Sequence, residues 1–241
     1  MSGHSHWAGI KYKKSIEDKK RGKIFSKMAR QISIAAKEKG GDPESNSVLR
    51  MAIEKAKSVN MPKDNIERAI KKGTGELEGE KLEAVVFEAY GPGNIAIIIE
   101  GITDNKNRTL GEIKKILNNN NGKIAGEGSV RWMFERKGAV AIIPNLEIQK
   151  KEEIELKTIE AGAEDIYWHD SLLDIYTKPE EFEKVKKGLE KENLEIDSAS
   201  LDWVAKEEIE IEEKDKKKIE KLFEALDEND AVQDIYSNLK T

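Results

Sequence analysis

The chain contains no cysteine. That removes disulfides, thiolate metal sites and cysteine nucleophiles together, and it fits a reducing compartment or a hot-growing source. Apolar runs do not exceed five residues, as in Ile95 to Ile99, far short of the roughly 20 that a membrane helix needs. The N-terminus, MSGHSHWAGIKYKK, lacks the apolar stretch of a secretory signal. The expectation is therefore a cytoplasmic protein with no membrane partner. Histidine is scarce. His4 and His6 alternate near the start and His169 is remote, whereas a structural zinc site wants four ligands; no metal and no other cofactor is expected. There is no Gly-x-Ser-x-Gly elbow, and neither Gly91-Pro92-Gly93 nor the segment Gly122 to Gly128 matches a Walker or dinucleotide fingerprint. With 47 carboxylates in 241 residues, chance pairs of acids are unavoidable and do not point to acid–base catalysis. The expectation is a protein that is not an enzyme.

What the chain does have is charge, and the charge is unevenly placed. Residues 1–75 hold 18 Lys/Arg against 8 Asp/Glu, while residues 76–241 hold 24 against 39. An electropositive module on an acidic body points to phosphate as the module's target and leaves the body for a protein partner.

The basic part has helical spacing. In residues 15–37 the apolar positions Ile24, Phe25, Met28, Ile32, Ala35 and Ala36 recur at three- and four-residue steps, with Ser15 and Asp18 in capping register. Lys20, Lys23, Lys27, Arg30 and Lys37 fall on a flank beside that stripe. Gly40-Gly41-Asp42-Pro43 ends the helix. A second helix is predicted from about Asn46 to Val59, burying Leu49, Ala52, Ile53 and Ala56. A third runs from Pro62 to Lys72, burying Ile66, Ala69 and Ile70 and ending at Gly73. Residues 1–14 have no helical period and form a basic arm. A three-helix bundle follows.

Beyond the polar linker GELEGE (75–80) the period shifts toward two. Strands are predicted at 84–90 and 94–102, joined through Gly91-Pro92-Gly93 in a type II turn. A helix is predicted from Thr109, with Glu112 in capping-box spacing, and a strand at 129–134. From Gly138 the order is strand, helix (about 150–161, closed by Gly162), strand (165–169), turn, strand (172–177), helix opening at Pro179, and strand (195–204). That is the βαββαβ order of ferredoxin-like domains. A strand at 207–212, a helix at 215–227 and a strand at 231–236 remain to complete the sheet begun at 84. The predicted fold class is α+β multidomain: an N-terminal three-helix bundle followed by two ferredoxin-like α+β domains, one inserted in the other. The boundaries are 1–78, then 79–134 with 205–241, and 135–204 as the insertion.

The candidate nucleic-acid contacts are Lys11, Lys13 and Lys14 of the arm, Lys20, Arg21, Lys23, Lys27 and Arg30 of the first helix, Arg50 of the second, and Lys71 and Lys72 of the third. Cations of this kind neutralise phosphates and release counterions without reading sequence. Trp7, Tyr12 and Phe25 are the module's only aromatics, too few for a stacking mode. Lys106 and Arg108, delivered to a helix N-terminus, are a secondary phosphate contact.

Eight stretches in collinear order carry a resemblance: Gly3-His4-Ser5-His6-Trp7, RGKIFSKMARQI (21–32), GGDP (40–43), NMPKDNIERAIKKGTG (60–75), YGPG (90–93), TDNKNRT (103–109), GSVRWMFERKG (128–138) and VQDIYSN (232–238). Together they resemble the YebC family of bacterial and mitochondrial regulators over nearly the whole chain. The resemblance implies a helical N-terminal domain and two α+β domains, the second inserted in the first. It also implies a DNA-binding transcriptional regulator, or alternatively a ribosome-associated translational activator that binds ribosomal RNA. His6 stands where the family usually carries Lys, so one cation of the arm is missing here.

Overall fold

The computed structural model describes residues 18–144, 150–169, 172–192 and 194–240. The predicted basic arm and the Ser15 cap lie outside the described residues. Within them are seven helices and two four-stranded sheets, an α+β architecture. The described residues fall into two compact units. One holds 18–127 and Glu212–Ile235, the other Gly128–Ile211 and 236–240.

The first unit begins with three helices: α1 (Asp18–Lys39), α2 (Ser47–Ser58) and α3 (Lys63–Thr74). Their apolar spacing builds a core of Met28, Ile32, Ala35, Ala36, Leu49, Ala56, Met61, Ile66 and Ala69. Ile24, Phe25, Ala52, Ile53 and Ile70 pack around it half-buried. Gly40, with φ +91°, turns the chain out of α1. Asn46, fully buried, then caps α2: its Oδ1 accepts from Leu49 N (3.0 Å), and its Nδ2 donates to the carbonyls of Ala35 (2.9 Å) and Gly40 (2.8 Å). One side chain thus starts α2 and holds the end of α1.

Helix α3 does not stop at Gly73. It continues to Thr74, and Gly75 (φ 83°) supplies the left-handed cap. Gly73 has a different task. A Cβ there would lie 2.3 Å from the Ser33 carbonyl oxygen and 2.8 Å from Ala36 Cβ. The glycine lets α3 press against α1, and the Ser33 hydroxyl donates to Ala69 O at 2.8 Å across the same crossing.

Strands β1 (Glu83–Tyr90) and β2 (Ala96–Thr103) form the predicted antiparallel hairpin, with Glu83 opposite Thr103 and Tyr90 opposite Ala96. At the turn Gly93 has φ 69° and ψ 12°, and Asn94 N donates to Gly91 O at 3.1 Å, as a type II turn requires. Helix α4 (Lys106–Asn119) starts three residues earlier than predicted. Its cap is Asn105, whose Oδ1 accepts from Arg108 N, and Thr109 is buried with its hydroxyl bonded to that of Thr103 (2.8 Å). The capping-box reading of Thr109 and Glu112 is therefore corrected: an Asx cap upstream took the role. A short β3 (Lys123–Ile124) pairs with β1, and the sheet is ordered β3-β1-β2-β8. Its edge strand β8 (Val232–Ser237) comes from the end of the chain, after helix α7 (Glu213–Asp227).

The predicted strand at 129–134 is not one. Residues Arg131–Met133 form a 3₁₀ turn, and only Phe134 enters the next strand. The predicted strand at 207–212 is reduced to a single bridge, Ile209 with Leu239. The second unit otherwise follows the expected order: β4 (Phe134–Ile142), α5 (Lys151–Ala161), β5 (Asp165–His169), β6 (Leu172–Thr177), α6 (Phe182–Lys191) and β7 (Ile196–Ala205). Gly162 closes α5 with φ 104°. Helix α6 opens at Phe182 rather than at Pro179, and it buries Phe182, Val185 and Leu189. The sheet order is β5-β6-β4-β7, each neighbouring pair antiparallel.

Candidate nucleic-acid interface

The cations of the N-terminal module divide into two groups. The first faces the chain itself. Lys27 is buried (7% exposed), and its Nζ donates to Asp227 O (2.7 Å) and Asp227 Oδ1 (2.8 Å) at the end of α7. Arg30, one turn on, donates from Nη1 to Ile102 O (3.2 Å) and Asp230 O (3.0 Å). Lys23 lies 3.9 Å from Asp230 Oδ1. Lys37 donates to Leu82 O at 2.7 Å, and Lys55 of α2 reaches Asp234 Oδ1 at 3.4 Å. The helical spacing did place Lys23, Lys27, Arg30 and Lys37 on one flank of α1 beside the apolar stripe. That flank meets β2 and the acidic segment 227–234, so its charges satisfy carbonyls and carboxylates of the same unit.

The second group faces solvent. Arg21 is exposed near the start of α1. Lys71 and Lys72 are exposed in the last turn of α3, where their charge also suits the helix dipole. Arg68 and Lys39, which belong to the same helices, are exposed too. Arg50 belongs with the first group instead: it is half-buried, with Nη1 donating to Pro43 O at 3.1 Å. Lys20 sits in α1, and its side chain is outside the described residues, as are Lys11, Lys13 and Lys14.

At the secondary position, Lys106 is exposed on the first turn of α4. Arg108 forms a close ion pair with Asp104 and lies 3.9 Å from Glu112. The Asp104 carboxyl is held below its ordinary range by a main-chain hydrogen bond first, then by Arg108 and the charge of Arg30. The Asn105 side chain occupies the amide that an anion would seek at this helix end.

The partners Asp227, Asp230 and Asp234 were not legible as such. They stand some 200 residues from the cations they meet, and nothing local marks them among the other acids. Among the described residues, no group of three or more His, Asp or Glu is arranged to hold a metal ion, and no helix is long and apolar enough to cross a membrane.

Comparison with known proteins covers nearly the whole chain. Residues 5–76 match the family model described as the TACO1/YebC protein N-terminal domain, and residues 82–239 match the one described as the TACO1/YebC second and third domain. A protein of Halothermothrix orenii is 50% identical over 99% of this chain and 94% of its own length. One of Natranaerobius thermophilus is 47% identical over 99% and 96%. Both carry the name "Probable transcriptional regulatory protein". The crystal structure of a conserved hypothetical protein, Aq1575 of Aquifex aeolicus, superposes with a TM-score of 0.87 at 44% identity, covering 98% of this chain and 96% of that one. The chain belongs to the TACO1/YebC family.

Proposed function

We propose that the chain is a DNA-binding transcriptional regulator that grips the phosphate backbone through the solvent-facing cations of its helical bundle and carries no catalytic activity. The observation that carries this reading is the exposure of Lys71, Lys72, Arg68 and Arg21 on a module with an excess of positive charge, joined to a body with an excess of negative charge. The names of the H. orenii and N. thermophilus relatives support the regulatory part. Lys11, Lys13 and Lys14 of the basic segment add phosphate contacts by their charge, and Lys106 with Arg108 adds a weaker contact. Lys23, Lys27 and Arg30 act behind this surface, fixing the bundle to α7 and β2. The accompanying domain division is a bundle (1–78), an α+β domain (79–134 with 205–241) and a ferredoxin-like insertion (135–204). The acidic domains offer a surface to a protein partner.

Crosslinking in cells, followed by sequencing of both the bound DNA and the bound RNA, tests the proposal. Enrichment at defined promoters that persists against excess competitor DNA is the expected result. Recovery of ribosomal RNA without promoter DNA would replace it by the translational reading. In vitro, the double substitution Lys71→Glu and Lys72→Glu weakens binding to all duplexes alike and lowers the salt slope by about two.

A further inference from the structure

Trp132 is the most exposed large apolar side chain described, at 65%. Its neighbours in sequence do the opposite: Val130 is 0% and Phe134 4% exposed. The 3₁₀ turn Arg131–Met133 is thus pinned at both ends with the indole turned outward. Met133 N donates to Val130 O (2.9 Å), and Lys206 N donates to Met133 O (2.9 Å), which ties the turn to the end of β7. The indole Nε1 donates to Ser129 O at 3.0 Å. The ring's single polar atom is therefore already satisfied, and what it offers outward is a flat apolar face held on a fixed turn.

The other described tryptophans are used within the fold. Lys151 Nζ lies 4.6 Å above the Trp168 ring. Trp203, opposite Arg136 in the β4–β7 register, lies 5.2 Å from the guanidinium of Arg136 and 5.8 Å from that of Arg131. This second stack brings two half-buried guanidinium groups to the segment that presents Trp132, and Lys206, whose amide bonds Met133 O, is exposed. A flat ring beside cations suits a nucleotide: the base lies on the indole, and its phosphate lies near the arginines.

We propose that Trp132 is a stacking platform for an unpaired nucleobase, making a second nucleic-acid contact on the unit that does not contain the helical bundle. The inference rests on the nucleic-acid reading given above and refines it. The bundle takes phosphate without regard to pairing, and Trp132 selects strands in which a base is open. The shared chemistry is an unpaired base, whether in an RNA loop or in melted DNA.

The test uses the full chain with four fluorescent probes: an RNA hairpin with a seven-nucleotide loop, the DNA hairpin of the same sequence, and a blunt duplex of each. Trp132→Ala is expected to weaken the hairpin complexes about tenfold and to leave the duplex complexes unchanged. Because stacking releases no counterions, the salt slope stays the same in this variant. Trp132→Phe keeps hairpin affinity within about threefold and loses the part of the fluorescence quenching that Trp132 contributes. Whichever hairpin shows the Trp132-dependent loss identifies the source of the base. Hairpin affinity that is unchanged in Trp132→Ala overturns the inference, as does an equal loss on hairpins and duplexes. These outcomes leave the bundle reading intact, since that reading fails separately if Lys71→Glu with Lys72→Glu has no effect on any probe. A wild-type chain that binds none of the four probes overturns both.

Discussion

Lys27 and Asp227 are joined twice: one buried ammonium donates to both the main-chain and the side-chain oxygen of a single residue. Removing the cation leaves a carboxylate and a carbonyl without their donor, while the positive end of the pair is the more deeply buried. Lys27→Met is expected to cost about 2 kcal/mol of stability, below the range for fully buried pairs because Asp227 keeps some exposure. Lys71→Glu with Lys72→Glu is expected to change stability by no more than about 0.5 kcal/mol. Urea unfolding of both variants checks the contrast. Equal stability of the Lys27→Met and wild-type proteins would show that the pair does not hold the bundle in place.

Asn46 is expected to be worth more than an ordinary helix cap. Its substitution by Ala leaves three groups without their partners: the Leu49 amide and the Ala35 and Gly40 carbonyls. A loss of about 2 kcal/mol follows. Asn46→Ser retains an oxygen for the amide and should lose about half as much. Thermal unfolding orders the three proteins as wild type, Ser, Ala.

Gly73→Ala should destabilise although it places a better helix former inside a helix. The gain in propensity is about 1 kcal/mol, but the new methyl meets the Ser33 carbonyl, which belongs to the backbone of α1 and has little room to retreat. Overpacking of this kind costs about 1–3 kcal/mol, so the net sign is a loss. Gly111, also within a helix, has open space around it, and Gly111→Ala should stabilise by a few tenths of a kcal/mol to about 1 kcal/mol. Denaturation midpoints that move in opposite directions are the expected result.

Asp174 gives the second unit a pH dependence. It is 1% exposed on β6, and burial first, then the charge of Asp202 on β7, raises its carboxyl pKa from 3.8 to about 7. His169 Nε2 of β5 lies 3.3 Å from its Oδ2, Tyr167 is opposite it in the β5–β6 register, and Lys137 of β4 pairs in register with Asp202. A raised carboxyl means that the folded chain holds a proton that the unfolded chain releases between pH 4 and 7. Stability therefore falls as pH rises through that window, by at most about 1.4 kcal/mol per pH unit for one proton. Asp174→Asn should flatten the curve and be the more stable protein at pH 8. Urea midpoints taken from pH 4 to 8 decide it, and parallel curves for the two proteins would rule the assignment out.

The apolar residues of the bundle were legible because a helix repeats its inward positions at fixed short steps, and those steps are local. The same locality set the limit. Helical spacing put Lys27 and Arg30 on one flank, but whether a flank meets solvent or protein depends on α7, which lies far along the chain. In the sequence Gly73 reads as a stop signal because glycine ends helices more often than it lines their crossings. Only the position of α1 tells the two apart. Val130, Trp132 and Phe134 alternate as a strand would, yet a 3₁₀ turn has three residues per turn. A step of two then rotates the middle side chain away from its neighbours, so Trp132 faces outward while Val130 and Phe134 are buried. The order of elements from Gly138 to Ala205 was readable because each is bounded by its own turn residues.

The sheet that begins with β1 ends with β8, and the amine of Lys27 waits for a residue 200 positions downstream. On the ribosome this imposes a delay. At about 5–20 residues per second, roughly 10–40 s pass between synthesis of α1 and emergence of the segment that receives its cations. During that interval Lys23, Lys27 and Arg30 face the solvent of a particle coated in RNA phosphate. The nascent bundle is thus more cationic than the finished one, and completion of the C-terminus withdraws that charge.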